Sequence, residues 1–178
     1  LIHKKITLEF AGYACLNCGS DETTFRQGFC KPCFFEQPQT ADWIMRPELS
    51  KAHLGVEDRD LDFEKKVQLQ PHIVYLANSS NIKVGVTRKT QVPTRWIDQG
   101  AQEALEILEV PNRYLAGVAE VALKQFVSDK TNWREMLKGD AVSEDLKTWR
   151  HQLSKHLPDE VQSYFLGNKE PLNLKFQI

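Results

Sequence analysis

The four cysteines of this chain form two Cys-x-x-Cys pairs, Cys15 with Cys18 and Cys30 with Cys33. Two intervening residues let both thiolates of a pair face one ion from a tight turn, and two such turns complete the tetrahedral sulfur shell of a structural zinc site. Gly19 follows the first pair, where a knuckle turn needs a positive φ and backbone N–H groups directed at sulfur. We therefore predict one zinc ion held by the four cysteines. Such a closed site organises structure, so function must come from other residues.

Two disulfides are the alternative use of these cysteines, as in small secreted proteins. A chain of 178 residues with four cysteines is not disulfide-dense, and a redox Cys-x-x-Cys motif would explain one pair but not two. Zinc-binding thiols without an export signal predict a reducing, cytoplasmic environment. No apolar run reaches the 18 residues that a membrane span needs, so we expect no membrane partner.

The charges of the chain are unevenly distributed, although its formal net charge is only −1. Residues 71–95 contain four basic side chains and no acidic one. These are Lys83, Arg88, Lys89 and Arg95. A local basic patch between acidic flanks predicts a phosphate-binding surface. A solvated basic face is the alternative interpretation of the same pattern.

Hydrophobic periodicity divides the chain into three predicted parts, an α+β arrangement. Residues 1–36 form a zinc ribbon with a leading strand over 4–10, and residues 37–70 form an irregular connector with one short helix near 47–52. Residues 71–178 form a core that begins with a hairpin of two strand-like runs joined by four turn residues. Its later elements are predicted as a helix from Arg95 to Glu109, an apolar-striped helix over 114–127, helices over 133–137 and 143–156, a short helix from Pro158, and a terminal strand over 172–178.

A set of polar residues in this core has the composition of a phosphodiester-cleaving site. Tyr75 leaves the first hairpin strand, Arg95 begins the helix that follows, Glu120 lies on the striped helix, and Asn132 comes after it. A carboxylate can hold a divalent cation, an arginine can neutralise charge on the phosphate, and a tyrosine can orient or deprotonate the nucleophile. For Glu120 two interpretations stay open, a solvent-facing glutamate or a cleft residue beneath a covered, polar-poor helix face.

The order Val74-Tyr75, Lys83-Val84-Gly85, Arg95, Glu120 and Asn132 resembles a GIY-YIG nuclease domain. The resemblance implies a small antiparallel sheet flanked by helices. It assigns the first-motif tyrosine to Tyr75, the phosphate-facing arginine to Arg95, the metal-binding glutamate to Glu120 and the late asparagine to Asn132. It also implies Mg²⁺ or Mn²⁺ as the cation at Glu120.

Longer motifs are similar to a bacterial family described only as a domain of unknown function, with a four-cysteine ribbon before a GIY-YIG-like core. This resemblance spans roughly residues 6–138. Its motifs here are Gly28-Phe29-Cys30, Pro32-Cys33-Phe34, Arg46-Pro47-Glu48-Leu49, Lys83-Val84-Gly85-Val86-Thr87-Arg88, Arg95-Trp96-Ile97-Asp98-Gln99-Gly100-Ala101 and Asp129-Lys130-Thr131-Asn132-Trp133-Arg134.

Two function hypotheses follow. The first is a nucleic-acid-binding protein that contacts DNA or structured RNA through Lys83, Arg88, Lys89, Arg95 and Gln99, with metal-dependent phosphodiester cleavage. The second is a non-catalytic interaction module that binds structured RNA, a ribosomal particle or a protein. The glutamate at Glu120 favours the enzyme. Lys83 in place of the second-motif tyrosine, and Gln99 near the usual position of a histidine, favour the binder.

Overall fold

The structure is a computed structural model, and it describes residues 5–79, 81–127 and 145–174. Its contacts group the chain into two compact units, Leu1–Ala41 and Asp42–Ile178. The second unit contains a four-stranded antiparallel sheet with helices, which confirms the predicted α+β class. Within the described ranges, no helix is both long enough and apolar enough to cross a membrane.

The first unit contains little regular structure apart from helix α1 (Lys31–Glu36) and a 3₁₀ turn at Pro38–Thr40. The leading strand predicted over 4–10 is wrong for the described residues 5–10, which form no strand. Ile6, Leu8 and Phe10 alternate as expected but are all exposed. Alternation marks a strand only where a partner strand satisfies its backbone and a core buries one face, and these residues have neither.

The segment between residues 42 and 70 contains more structure than the predicted connector. It forms α2 (Asp42–Met45), 3₁₀ turns at Pro47–Leu49 and Ala52–Leu54, and α3 (Leu61–Gln68). The buried carboxylate of Glu64 accepts backbone N–H bonds from Asp58, Arg59 and Asp60, at 2.8 Å for the shortest. The acidic loop before α3 is therefore folded around a buried carboxylate.

The predicted hairpin is confirmed. β1 (His72–Asn78) pairs antiparallel with β2 (Ile82–Arg88), and the sheet order is β2-β1-β3-β4. β1 is buried on both faces. Val74 and Leu76 pack into the main core, whereas Ile73, Tyr75 and Ala77 face a smaller core that contains Trp96.

The predicted helix from Arg95 to Glu109 is wrong. The structure has a short α4 (Thr94–Asp98), a turn at Gly100 with φ +66°, and then β3 (Glu103–Val110), which pairs with β1. Glutamate, alanine and leucine favour helix, and glutamates recur every third residue at 103, 106 and 109. A register shift opposite Val74 and Tyr75 adds one residue to β3, so both Ile107 and Leu108 are buried. The bulge gives a strand a helix-like burial period, and pairing with β1 overrides helix propensity.

Of the remaining elements, three helices pack on the main core and a short fourth strand pairs with β3. They are α5 (Arg113–Lys124), α6 (Leu146–Ser154), α7 (Asp159–Gln162) and β4 (Leu172–Asn173). The Asn112 side chain caps α5 by accepting from the N–H of Leu115, and the Asp145 side chain caps α6, which lies within the helix predicted over 143–156. The helix predicted over 133–137 and most of the terminal strand lie outside the described residues.

Candidate functional site

The four cysteine sulfur atoms lie within 4.8 Å of one another. All four are free thiols, which excludes the disulfide alternative in this structure. The Sγ atoms of Cys18 and Cys30 are 3.8 Å apart, the separation expected at ~3.8 Å for two thiolates about 2.3 Å from one tetrahedral zinc ion. The cluster could therefore hold a metal ion such as zinc, as the spacing of the pairs predicts.

The surroundings of the cluster suit thiolate ligands. The N–H of Cys30 donates to Sγ of Cys15 at 3.3 Å, and the Asn17 amide donates to Sγ of Cys33 at 3.3 Å. Backbone N–H groups of Cys18 and Cys30 lower the pKa of Cys15 to about 6, because they stabilise its charged form. Gly19 has φ +71°, the left-handed turn that its position predicts.

Tyr75 is the centre of the second candidate site. Its ring lies over Gly85, its partner on β2, where a Cβ atom would come within 2.7 Å of the hydroxyl. The hydroxyl donates to Oε1 of Gln99 at 2.6 Å, and the ring contacts that of Trp96 at 5.7 Å between centroids. Only a glycine at 85 leaves room for this arrangement. The Tyr75 hydroxyl is therefore the point where β1, β2 and the segment after α4 come together.

Charged groups of both signs act on Tyr75. Burial raises the pKa of Tyr75 to about 12, the Arg95 guanidinium opposes this rise, and the Glu120 carboxylate adds to it. Arg95 is exposed, whereas Lys83, which lies on the same face of the sheet as Tyr75, is buried. Burial and the Arg95 charge together lower the pKa of Lys83. The predicted tyrosine, arginine and glutamate therefore share one electrostatic environment.

Glu120 is buried, with 7% of the residue exposed, and does not face open solvent. Burial raises its pKa, Lys124 and Arg113 oppose this rise, and Glu48 adds to it. Nζ of Lys124 lies 3.2 Å from Oε1 of Glu120. One turn earlier, Gly117 packs against the 47–49 turn so closely that a Cβ atom would lie 2.1 Å from the Glu48 nitrogen. The 47–49 turn thus covers the helix face beside Glu120.

The other predicted phosphate ligands are engaged within the protein. Lys89 forms an ion pair with Glu109 at 2.6 Å, which raises the pKa of Lys89. The Arg88 Nε donates to Oε1 of Gln91 at 3.1 Å. Both ion pair and hydrogen bond are on the surface, where such contacts exchange readily with other partners.

The family described as "Protein of unknown function (DUF2797)" has a model that matches residues 3–178. The chain belongs to this family. No curated protein and no solved structure matches it. Membership confirms the part of the sequence resemblance that pointed to a domain-of-unknown-function family.

Two charged residues near Glu120 were not among the predicted site residues. Glu48 lies near Glu120, and Arg113 carries charge toward the same carboxylate while donating to the carbonyl oxygens of Trp43 and Ile44. The sequence signal for Glu48 was the Arg46-Pro47-Glu48-Leu49 motif that contains it. Arg113 had none, because a helix N-terminus does not favour a cation. Asn132 lies outside the described residues.

Proposed function

We propose that the second unit binds the phosphodiester backbone of a nucleic acid at Tyr75 and cleaves it with the help of a divalent cation, in the manner of a GIY-YIG nuclease. The observation that supports this most is the Tyr75 hydroxyl, seated over Gly85, within electrostatic reach of both Arg95 and Glu120. The sheet and flanking helices are consistent with the core that the resemblance implies.

The charge balance of the site suits an anionic ligand. Basic groups near Tyr75 and Glu120 outnumber acidic ones. Burial is the main cause that lowers the pKa values of Lys83 and Arg113, and repulsion from neighbouring basic groups lowers them further. The basic set is Lys83, Arg88, Arg95, Arg113 and Lys124, against Glu48 and Glu120. A phosphate that entered beside Arg95 would relieve this repulsion.

The carboxylates of Glu120 and of Glu48, whose Oε1 lies 3.3 Å from Nε of Arg46, would supply the oxygen donors that Mg²⁺ or Mn²⁺ prefers. Burial raises the pKa of Glu120, and the Glu48 charge adds to this rise against the opposing charges of Lys124 and Arg113; a bound divalent cation would favour the charged carboxylate. A cation held there would stabilise charge that develops on the phosphate, while Arg95 would neutralise a second phosphate oxygen. Glu120 would have to exchange its ion pair with Lys124 for the cation in order to bind it.

Binding is tested with labelled DNA and structured RNA at several salt concentrations. We expect log K to fall linearly with log salt, with a slope set by about two to four phosphates. Lys83→Ala with Arg95→Ala should flatten the slope. The exposed lysines of the control pair, Lys66→Ala with Lys155→Ala, lie outside the site and should leave it unchanged. Salt-insensitive binding, or none, would contradict the proposal.

Cleavage is tested separately with Glu120→Gln. This change removes a cation ligand and no phosphate contact, so binding should persist while Mg²⁺- or Mn²⁺-dependent cleavage is lost. Glu160→Gln, on the exposed surface of α7, is the matched control and should cleave as the wild type does. Cleavage that survives Glu120→Gln would remove Glu120 from the mechanism.

Two observations favour a second candidate, a non-catalytic module that binds structured RNA, a ribosomal particle or a protein. Lys83 replaces the second-motif tyrosine, and Lys124 already pairs with the Glu120 carboxylate. A lysine binds phosphate as a point charge but does not orient a nucleophile as a phenol does. Salt-dependent binding without cleavage of any DNA or RNA substrate would select this candidate.

For the first unit we propose a structural zinc ion bound by the four cysteines, in a zinc ribbon. The sulfur separation and the N–H donors to Cys15 support a tetrahedral thiolate site with no open position. Metal analysis of purified protein should find one zinc per chain. An observed Cys–Cys disulfide, or protein without metal, would refute this.

A further inference from the structure

Gln99 accepts the proton of the Tyr75 hydroxyl. The hydroxyl oxygen and Oε1 of Gln99 are 2.6 Å apart, and the backbone N–H of Gln99 is held at the end of α4 by a bond to the carbonyl oxygen of Trp96. An amide oxygen accepts a hydrogen bond but does not take up a proton near neutral pH. The Tyr75 proton is therefore directed at Gln99, and the acceptor side of the hydroxyl oxygen faces elsewhere.

Tyr75 has no exposed surface through which it could contact a substrate in this structure. Its exposed fraction is 0%, whereas Gln99 is half-buried and Arg95 is exposed. A side chain that touches a phosphate or an attacking water molecule needs an accessible polar atom, and of these three side chains Arg95 is the most accessible. The burial of Tyr75 therefore indicates that its hydroxyl acts through a neighbouring side chain.

Helix α4 places Arg95 beside the same hydroxyl. Residues 95 and 99 are four apart, so they lie on one face of the helical turn, and the ring of the intervening Trp96 contacts the Tyr75 ring at 5.7 Å between centroids. Burial raises the pKa of Tyr75 to about 12, and the charge and the hydrogen bonding of the Arg95 side chain oppose that rise. Arg95 thus approaches the phenol from the solvent side.

A hydroxyl oriented in this way suits a guanidinium neighbour. Because the proton points at Gln99, the oxygen presents its lone-pair side to Arg95. Arginine carries five N–H donors in one plane, so a bond from one edge to the phenol oxygen leaves the other donors for a phosphate. The phenol fixes the guanidinium plane, and a fixed plane favours the paired hydrogen bonds that arginine forms with phosphate oxygens.

We propose that Gln99 and Tyr75 are positioning residues that orient Arg95 toward the phosphate, and that Arg95 is the member of the three that contacts it. This inference rests on the proposed nucleic-acid function and specifies how the arginine of that site is held. It gives Gln99 a different role from the direct contact with nucleic acid that the sequence predicts. It also makes the Tyr75 hydroxyl a support for Arg95 and not a ligand of the nucleophile.

The orientation of Arg95 is tested first without any ligand. In a ¹H–¹⁵N spectrum of the full chain, Arg95→Lys assigns the Nε–H signal of Arg95. Tyr75→Phe and Gln99→Leu should each shift this signal, because either change releases the guanidinium plane. Tyr164→Phe, in the main core, and Gln152→Leu, on the exposed surface of α6, are matched controls and should leave it in place. A signal unmoved by Tyr75→Phe, which retains the aromatic ring, would overturn the positioning role.

A double-mutant cycle with a labelled oligonucleotide then separates positioning from direct contact. Tyr75→Phe and Gln99→Leu should each weaken binding about fivefold when Arg95 is present, the scale of one hydrogen bond. In an Arg95→Ala background each should change the affinity less than about twofold, because the arginine that they orient is absent. Losses that add to that of Arg95→Ala would show direct contact with the nucleic acid. Such losses, or no loss when Arg95 is present, would overturn the positioning role.

The two experiments also distinguish failure of this inference from failure of the proposed function. Salt-dependent binding with an Arg95 signal that stays in place in the variants would overturn the positioning role and leave the proposed function standing. An Arg95 signal that shifts in both variants, with no oligonucleotide bound by the wild type, would support the positioning of Arg95 and overturn the proposed function.

Discussion

The cysteine cluster and the Tyr75 site are built in opposite ways. The four sulfur atoms come from residues 15–33, and two short turns bring them together. The groups around Tyr75 come from β1, β2, α4, the 47–49 turn and α5, which span more than seventy residues. The first site depends on local turn geometry, whereas the second depends on strand register and helix packing. The two should therefore respond differently to the same kinds of perturbation.

Metal removal should have the largest effect and should be confined to the first unit. Folding and metal ligation are coupled in small metal modules, where zinc contributes about 10–16 kcal/mol of apparent binding free energy. A chelator, or Cys33→Ser, should unfold residues 11–36. Amide hydrogen exchange should show lost protection there and retained protection in β1–β3, and added zinc should reverse the effect of the chelator. Equal loss in the sheet would contradict the local character of the cysteine site.

Gly117→Ala should produce the largest single-residue effect at the second site. The new methyl group would lie 2.1 Å from the Glu48 nitrogen and 2.4 Å from the Pro47 carbonyl carbon, and backbone atoms cannot move aside as side chains do. We expect a loss of about 3 kcal/mol in the free energy of unfolding, measured in urea. Gly167→Ala is the control, because its methyl group would meet only Phe165 at 3.4 Å. Similar losses in both variants would show that the close contact is not responsible.

Acid should weaken the sheet unit through His72. Burial first, and then the charges of Arg113 and Arg88, lower the pKa of His72 to about 4, against about 6.5 in the unfolded chain. Between these values the unfolded state binds a proton that the native state does not, so the free energy of unfolding decreases as pH falls from 6.5 to 4. The decrease should be about 3 kcal/mol.

The variant His72→Gln should lose this pH dependence. His53→Gln is the matched control, since His53 is exposed and stacks on Tyr114. Chemical denaturation at pH 7, 6, 5 and 4 measures the effect in all three proteins. An unchanged slope in His72→Gln would assign the acid sensitivity to carboxylates instead.

Tyr75→Phe should have the smallest effect of the series. It removes the hydroxyl that donates to Gln99 and leaves the ring over Gly85 in place. A net loss of about 1 kcal/mol in the free energy of unfolding is expected for one such hydrogen bond. Trp96 fluorescence should stay close to that of the wild type. A loss greater than 3 kcal/mol would mean that the hydroxyl supports the fold and not only the site.

The sequence was sufficient where local chemistry decides structure. The Cys-x-x-Cys spacing predicted the cluster, and β-branched runs around a polar turn predicted β1 and β2. It failed for β3, because Glu103, Glu106 and Glu109 follow a helical period, and only pairing with β1 and the bulge reveal a strand. It also did not indicate the burial of Glu64, because the loop N–H groups that surround this carboxylate come together only on folding.

For the candidate functional site, the sequence by itself determined which chemical groups are available: four paired thiols, a tyrosine, basic residues between 71 and 95, and a glutamate on an apolar-striped helix. Their environment was decided only by the tertiary structure. Glycine at 85 admits the Tyr75 ring, Gly117 lets the 47–49 turn cover Glu120, and the β1–β3 register sets Glu106 beside Tyr75. Burial and charge proximity are sums over residues distant in sequence, so no local pattern encodes them.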